Sequence, residues 1–244
     1  FPFHARRHFA NPDVQPVMKS IGRWLLWVVL AGLALQLFFV LRVALMVVVD
    51  PQSTAFMRSE AWRVAGQSLR SDKDWRWSAQ WVDYDQISPH LKRAVMASED
   101  AGFAEHDGVD WSAIEAAWVK NERRQELVEK RTAQLERKLA KKPEAAEAAI
   151  KAIKPPKVIG GSTITQQLAK NLLLSGERNL LRKGQELMLA LTLDALLSKQ
   201  RILEIYLNSV EWGEGVFGAE AAAQRYFQKP AAKLSAYEAA RLAV

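Results

Sequence analysis

The stretch SEDAGFAEHDG (residues 98–108) decides how the rest of the chain is interpreted, because an apolar helical run stops there and leaves two adjacent acids at its end. Two glycines, Gly102 and Gly108, bracket a short turn that follows. A carboxylate fixed at such a helix end can act as an acid or a base beside a cleft. We therefore predict that role for Glu99, the alternative being an ordinary solvated acid at the end of a helix.

Composition limits the chemistry that the chain can perform. The 244 residues are enough for one domain with appendages, and they include no cysteine, which excludes thiol nucleophiles, disulfides and cysteine zinc sites. The four histidines show no spacing typical of a zinc enzyme. A formal net charge of +7 favours anionic partners such as lipid headgroups or phosphates.

The N-terminal part of the sequence predicts a membrane anchor. Residues 1–20 are expected to be a basic cytoplasmic tail, and residues 21–49 a transmembrane helix whose central apolar run contains one polar residue, Gln36. A secretory signal peptide is the alternative, but no small-residue cleavage site precedes Asp50. The excess of Lys and Arg before the span predicts that its N-terminus is cytoplasmic and the rest of the chain lies outside.

After the span, residues 50–74 are interpreted as a linker and membrane-proximal segment, and residues 75–244 as the main domain. Within that domain, residues 120–157 contain 12 Lys and Arg against 6 Glu and predict a charged helical insertion, entered through a capping box at Ser112 and Glu115. A solvated insertion is one interpretation, and contact with anionic lipid or a partner is the other. Nucleic acid is not expected, because no aromatic residues interleave these charges.

Two further stretches predict helices with polar faces. GGSTITQQLAKN (residues 160–171) is a glycine turn followed by a helix with a capping box at Thr163 and Gln166, whose polar side chains are expected to line one face. Further on, Arg182 and Glu186 are spaced to form one stripe with a second arginine one turn earlier. A structural salt bridge and a clamp for a diphosphate are both compatible with that stripe.

Five segments in order resemble the conserved motifs of the peptidoglycan glycosyltransferases. They are EDAGFAEHDG (99–108), GGSTITQQLAKN (160–171), RKGQELMLALTLD (182–194), KQRILEIYLN (199–208) and GVFGAEAAAQRYFQKP (215–230). The short anchor makes the chain most similar to the monofunctional members found in Gram-negative bacteria. It departs from the family in its long insertion, in Asp194 where Glu is common, and in ending before the family's last helices, which predicts a C-terminally truncated domain.

The resemblance implies an all-α, lysozyme-like glycosyltransferase domain with a membrane-associated jaw, preceded by one transmembrane helix. It implies an inner-membrane, single-pass enzyme with a periplasmic catalytic domain, sensitive to moenomycin. The implied reaction polymerises lipid II with inversion and releases undecaprenyl diphosphate. A lysozyme-like hydrolase and a non-catalytic scaffold of the wall-building machinery are the alternatives.

By the same resemblance, Glu99 is the general base and Glu186 the second essential acid. Three neighbours of Glu99 are implied to support it, and eight further residues are implied to contact the substrate or its diphosphate. No cofactor is required, although a divalent cation, Mg or Mn, could be held at Glu186. Implied partners are lipid II, the undecaprenyl-diphosphate-linked glycan, membrane lipids and other cell-wall synthesis or division proteins. The supporting residues are Asp100, Phe103 and His106, and the substrate-binding residues are Ser162, Thr163, Gln167, Lys170, Asn171, Arg178, Arg182 and Lys183.

Overall fold

A computed structural model describes residues 14–68, 77–139, 143–153, 155, 160–174 and 180–244. These residues are mostly helical, which confirms the all-α prediction. The α-helices are α1 (Val14–Leu45), α2 (Ala55–Ser68), α3 (Pro89–Glu99), α4 (Trp111–Lys138), α5 (Pro143–Lys151), α6 (Ile164–Leu173), α7 (Leu180–Leu196), α8 (Lys199–Ser209), α9 (Ala219–Phe227) and α10 (Ala236–Leu242). Short 3₁₀ helices lie at Tyr84–Gln86 and Ala231–Lys233.

The core forms where α3, α6, α7 and α8 bury their apolar faces together. Ile164, Leu168 and Leu172 recur every four residues on α6 and are fully buried, as their spacing predicts. They belong to the same buried cluster as Leu91 of α3 and Ile202 of α8. This packing brings the C-terminal end of α3 and the N-terminal end of α6 together, and the two ends carry the chemistry-bearing motifs.

The helix α1 is long and apolar enough over Ser20–Leu45 to cross a membrane, and most of its large side chains are exposed. It ends at Leu45, four residues before the predicted end of the span, and a turn follows. The last part of α1 and the turn after it join the domain, because Val43 and Met46 are buried in the core. Arg201 of α8 fastens this end by donating to the carbonyl oxygen of Met46 at 2.8 Å.

The segment that the sequence suggested as a linker also contributes to the domain. Within it, α2 packs against α6, and Thr54 and Met57 are buried. The ring of Phe56 contacts that of Phe217 edge to face at 6.2 Å. Residues 55–68 are therefore a helix that packs on the domain.

A small sheet that the all-α prediction did not include closes one side of the domain. Strand β1 (Ser78–Ala79) pairs in parallel with β3 (Val216–Phe217), which pairs antiparallel with β2 (Glu211–Gly213). The turns around β3 need glycine, since Gly215 and Gly218 both have positive φ. A Cβ on Gly218 would also lie 2.8 Å from the carbonyl oxygen of Asn208.

The start of α4 differs from the predicted capping box. Asp110, not Ser112, is the N-cap, and its carboxylate accepts a hydrogen bond from the N–H of Ala113 at 2.8 Å. Ser112 instead donates to Asp110 at 2.6 Å. Aspartate is as good an N-cap as serine, and α4 begins after Asp110, which precedes Ser112 in the chain. The predicted insertion is helical in its described part, with α4 ending at Lys138 and α5 beginning at Pro143, a residue favoured at the start of a helix.

Candidate active site

Glu99 is the last residue of α3, and its side chain is exposed. The helix begins at Ser88-Pro89, a pair typical of a helix start, and the Ser88 hydroxyl accepts a hydrogen bond from the N–H of His90. It ends because Asp100 leaves helical geometry, with φ of −162°. The acid predicted from the sequence is therefore presented at a helix end beside open space.

Asp100 connects this helix end to the glycine-led helix. Its buried carboxylate accepts a hydrogen bond from the backbone N–H of Ile164, the first residue of α6, at 2.9 Å. The same carboxylate lies 3.0 Å from Nε2 of His106. A negative charge at a helix N-terminus is favourable, so Asp100 fixes the backbone that carries Glu99. Phe103 is buried and contacts the His106 ring edge to face, which holds the loop between them.

A chain of two hydrogen bonds orients Glu99 itself. The side-chain N–H of Gln167 donates to the Glu99 carboxylate at 2.9 Å, and the hydroxyl of Tyr206 donates to the amide oxygen of Gln167 at 3.1 Å. Burial, and then the negative charges of Glu99 and Asp100, raise the pKa of Tyr206. Tyr206 therefore stays a hydrogen-bond donor at all physiological pH values and fixes the direction of the Gln167 amide.

A cleft of about 390 Å³ opens on one side of Glu99. Ser162, predicted to bind substrate, lines it together with Asp110 and Lys120. Thr163 also lies in the wall of this cleft, but its side chain is buried. Its hydroxyl donates to the carbonyl oxygen of Gly108 at 2.6 Å. Thr163 also forms the predicted capping box with Gln166. Thr163 thus supports the cleft wall from within, and both Thr163 and Gln166 are buried, contrary to the prediction that they line a polar helix face.

A second cleft of about 260 Å³ also borders Glu99, and its walls include the last three residues of the chain, Leu242 to Val244. Tyr206, Glu211 and Trp212 line it. Burial raises the pKa of Glu211, and the N–H of Gly215, which donates to its carboxylate at 3.1 Å, opposes that rise. One carboxylate, Glu99, therefore faces two separate clefts, an arrangement that lets one base serve two bound groups.

The described part of the predicted cationic stripe lies on α7. Glu186 is buried, and its carboxylate lies 2.5 Å from Nζ of Lys183 and 3.6 Å from the Arg182 guanidinium. The salt bridge proposed from the sequence therefore exists, and Lys183 also takes part in it. Two cations share one acid, which leaves a net positive charge. A set of three carboxylate or imidazole groups suited to a metal ion is absent from the described residues, and both oxygens of Glu186 face cations.

The remaining predicted residues are placed as follows. Lys170 is exposed and Asn171 half-buried in the last turns of α6, which packs against α7. Neither lines the two clefts beside Glu99. Arg178 lies outside the described residues.

Three residues of the site were not identified by the sequence analysis. Tyr206 lies within the segment 199–208, but no local pattern assigns it a role in a site. Asp110 had a local signal, since it immediately precedes a helix. Glu211 lies in a glycine-rich turn, and no local pattern indicates that this turn folds back towards Glu99.

The fold and the site together define a class of protein. A carboxylate at a helix end that borders two clefts can serve as the general base of an enzyme, and the cations of α7 can bind an anionic group. Comparison with known proteins is more specific. The chain belongs to the Transglycosylase family, whose profile matches residues 66–130 and 141–244.

Curated relatives agree with this assignment. A biosynthetic peptidoglycan transglycosylase of Burkholderia thailandensis is 47% identical over 230 residues, which cover 93% of this chain and 77% of the relative. Proteins with the same name from Cupriavidus metallidurans and Ralstonia nicotianae are 48% identical over 225 residues and 50% identical over 226 residues, in each case covering 91% of this chain and 82% of the relative.

Proposed function

We propose that this enzyme polymerises lipid II into glycan strands by transferring the lipid-linked growing chain to the 4-hydroxyl of the GlcNAc of lipid II. The observation that carries the proposal is the position of Glu99, held by Gln167 and bordering two clefts. Membership of the Transglycosylase family supports the reaction class. The hydrolase and scaffold alternatives find no support, because neither gives the cations of α7 a role.

In this proposal Glu99 acts as the general base. It removes the proton of the acceptor 4-hydroxyl while that oxygen bonds to the anomeric carbon of the donor MurNAc. The bond from this carbon to the diphosphate breaks, and undecaprenyl diphosphate leaves with the bonding electrons. Attack from the opposite face inverts the configuration from α to β. The hydrogen bond from Gln167 holds the carboxylate in the required direction.

Negative charge that develops on the leaving diphosphate needs nearby cations. Lys170, Lys183 and Arg182 are proposed for this role, with Arg178 proposed on the resemblance alone. Glu186 would position Arg182 and Lys183, since it already contacts both. Asn171 and Ser162 are proposed to contact the sugars. A resident cofactor is not required, and a divalent cation at Glu186 has the weaker support because both its oxygens face cations.

Membrane placement follows from the substrate and from α1. Lipid II is membrane-bound, and α1 is long enough to anchor the enzyme beside it. We propose a single-pass protein of the bacterial plasma membrane with a cytoplasmic N-terminus and a periplasmic domain, since Lys and Arg precede the span and Asp50 follows it. Other cell-wall synthesis or division proteins are proposed as partners on the family resemblance alone.

The test is polymerisation of purified lipid II by the full chain, with and without moenomycin. Glu99→Gln should lower the initial rate by about 10²- to 10⁴-fold, the usual contribution of a general base. Its circular dichroism and thermal midpoint should match those of the wild type, because the side chain is exposed. Wild-type turnover in that variant would disprove the assignment of the base.

A further inference from the structure

The helix α4 extends well beyond the part that lines the Glu99 cleft, and its side chains are separated by charge. At 100° per residue, its five glutamates fall within an arc of about 80°. Six of its seven cations fall in a different arc of about 120°. We call the second arc the basic face. The glutamates are Glu115, Glu122, Glu126, Glu129 and Glu136, and the cations of the basic face are Lys120, Arg123, Arg124, Lys130, Arg131 and Lys138.

Burial confirms this division. The third arc carries half-buried side chains such as Asn121, Val128 and Leu135, and α4 packs against α5. All six cations of the basic face are exposed. One exposed apolar residue, Leu127, lies among them. Lys130 of this face pairs with Glu126 at 3.3 Å, and both side chains stay more than half exposed. The basic face therefore contributes little to the core and is exposed to solvent.

The basic face continues directly from the active site. Ala113, Ala116 and Lys120 line the cleft beside Glu99, and all three lie on the same side of α4 as the basic face. From Lys120 the face runs to Lys138, about 27 Å at 1.5 Å per residue. The family profile is interrupted at residues 131–140, so the far end of this face lies where the chain departs from the family.

We propose that the basic face binds the peptide carboxylates of the growing glycan strand as the strand extends from the Glu99 cleft. The inference rests on the proposed function, since it assumes that such a strand occupies this cleft. MurNAc units of peptidoglycan carry peptides with free carboxylates, so the strand is a polyanion with repeating charges. Several exposed cations in a row complement such a ligand, although each ion pair alone contributes little.

The arrangement of α4 favours the strand over a membrane surface. Trp111 and Trp118, which are 64% and 73% exposed, suit a lipid interface, and they lie on the same side of α4 as the glutamates. If this side faces lipid, the basic face points away from the membrane. Anionic lipid binding is therefore the competing outcome of the test.

The test compares two triple variants of the full chain in neutral detergent. One removes charge from the basic face (R123Q/R131Q/K138Q) and leaves Lys120, which lines the cleft. Its matched control removes three charges from the opposite side of the same helix (E122Q/E129Q/E136Q). Binding of a fluorescent, peptide-bearing glycan strand is measured by anisotropy, which requires no catalysis. A second strand has its peptide carboxylates converted to amides.

We expect the basic-face variant to bind the natural strand about fivefold more weakly than the wild type, as the loss of three exposed ion pairs implies. The control variant should bind at least as tightly as the wild type, and the amidated strand should bind wild type and variant alike. Raising the salt concentration should remove the difference. Equal affinity of wild type and basic-face variant for the natural strand would overturn the proposal.

Polymerisation gives a second, separate readout. The basic-face variant should consume lipid II at the wild-type rate but produce shorter strands, because retention is lost while chemistry is not. Strands that shorten only in vesicles with anionic phospholipid, with unchanged strand binding, would assign the face to the membrane and overturn the proposal. A wild type that binds strands but forms none would count against the proposed function alone.

Discussion

The amide nitrogen of Gln167 lies 2.9 Å from the carboxylate of Glu99, although the two residues are 68 positions apart in the chain. This contact joins the glycine-led helix to the end of α3 and gives the proposed base a fixed direction. Tyr206 completes the arrangement by donating to the other end of the same amide. The amide of Gln167 is a neutral donor, so the Glu99 carboxylate stays able to accept a proton. A cation in the same place would stabilise the ionised carboxylate and make it a weaker base.

Tyr206→Phe tests whether this chain of hydrogen bonds positions the base. Without the hydroxyl, the Gln167 amide loses the donor that fixes its orientation, and Glu99 is held less well. We expect about a fivefold fall in kcat, equivalent to one neutral hydrogen bond of about 1 kcal/mol, with little change in KM. Steady-state kinetics with lipid II measure both values. Unchanged kcat in a stable variant would show that the hydroxyl has no positioning role.

The two glycines before α6 differ in their surroundings and give a matched pair of variants. A Cβ on Gly161 would lie 2.9 Å from the carbonyl oxygen of Ala113 and from the Cα of Ile114, whereas a Cβ on Gly160 meets nothing within 4 Å. Gly161→Ala should therefore force α4 away from the cleft and destabilise the protein by about 1–3 kcal/mol. Gly160→Ala should stay within about 0.5 kcal/mol.

Thermal unfolding in detergent, together with the polymerisation rate, measures both glycine variants. The rate should fall only for Gly161→Ala, since α4 forms one wall of the cleft. If the two variants behave alike, the close approach of α4 to the glycine turn does not hold the cleft in shape.

The sequence predicted features that depend on neighbours in the chain. The four-residue repeat of Ile164, Leu168 and Leu172 required a buried helix face, and Ser88-Pro89 marked the start of α3. Contacts between segments distant in the chain could not be predicted from local sequence patterns. Neither the bond from Gln167 to Glu99 nor that from Ile164 to Asp100 leaves a local pattern, because helix packing creates both.

Local patterns also competed with one another. Ser112 and Asp110 were both suitable caps for α4, and spacing alone favoured the wrong one. The spacing of the charged residues predicted the cationic stripe on α7 and left a salt bridge and a diphosphate clamp open. Only the family resemblance indicated which substrate the stripe would bind. The sequence thus predicted the fold class and the main catalytic candidate, while the orientation of that candidate required the tertiary structure.

A pH dependence of stability is expected from Glu238. Lys229 and the cap residue Ser235 donate to its carboxylate and lower its pKa to about 2. An acid with a depressed folded pKa stabilises the fold above its unfolded pKa of about 4.3, and this contribution is lost as the pH falls from there towards 2. Glu238→Gln should therefore lower the thermal midpoint at pH 6, and the deficit should shrink as the pH is lowered to 3.

Lys229→Gln provides the comparison for that prediction. It removes one donor and leaves Ser235, so it should show part of the same deficit in the same pH range. Thermal midpoints in detergent at pH 3, 4 and 6 test both variants. A Glu238→Gln deficit of equal size at all three pH values would contradict the assignment of the effect to this carboxylate.

Gln36, the polar residue of the apolar run in α1, pairs with Gln185 of α7 through hydrogen bonds of 2.9 and 3.4 Å. The pair lies about 14 Å along α1 from its C-terminal end, at 1.5 Å per residue. Gln185 precedes Glu186, and the exposed apolar residues Leu181 and Met188 lie on the same helix. If α1 spans the membrane, the first turns of α7 therefore lie at the depth of the hydrocarbon.

A double-mutant cycle tests this contact in lipid nanodiscs. Gln36→Leu or Gln185→Leu alone strands an amide in an apolar environment, whereas the double variant removes both amides. We expect a coupling energy of about 0.6–1.7 kcal/mol. The double variant should therefore be destabilised by less than the sum of the two single variants. The single variants should also lose polymerisation rate, because α7 carries the cations proposed to meet the diphosphate. Additive effects on stability would show that the two helices are held together without this pair, and that the depth of α7 is set by its apolar side chains.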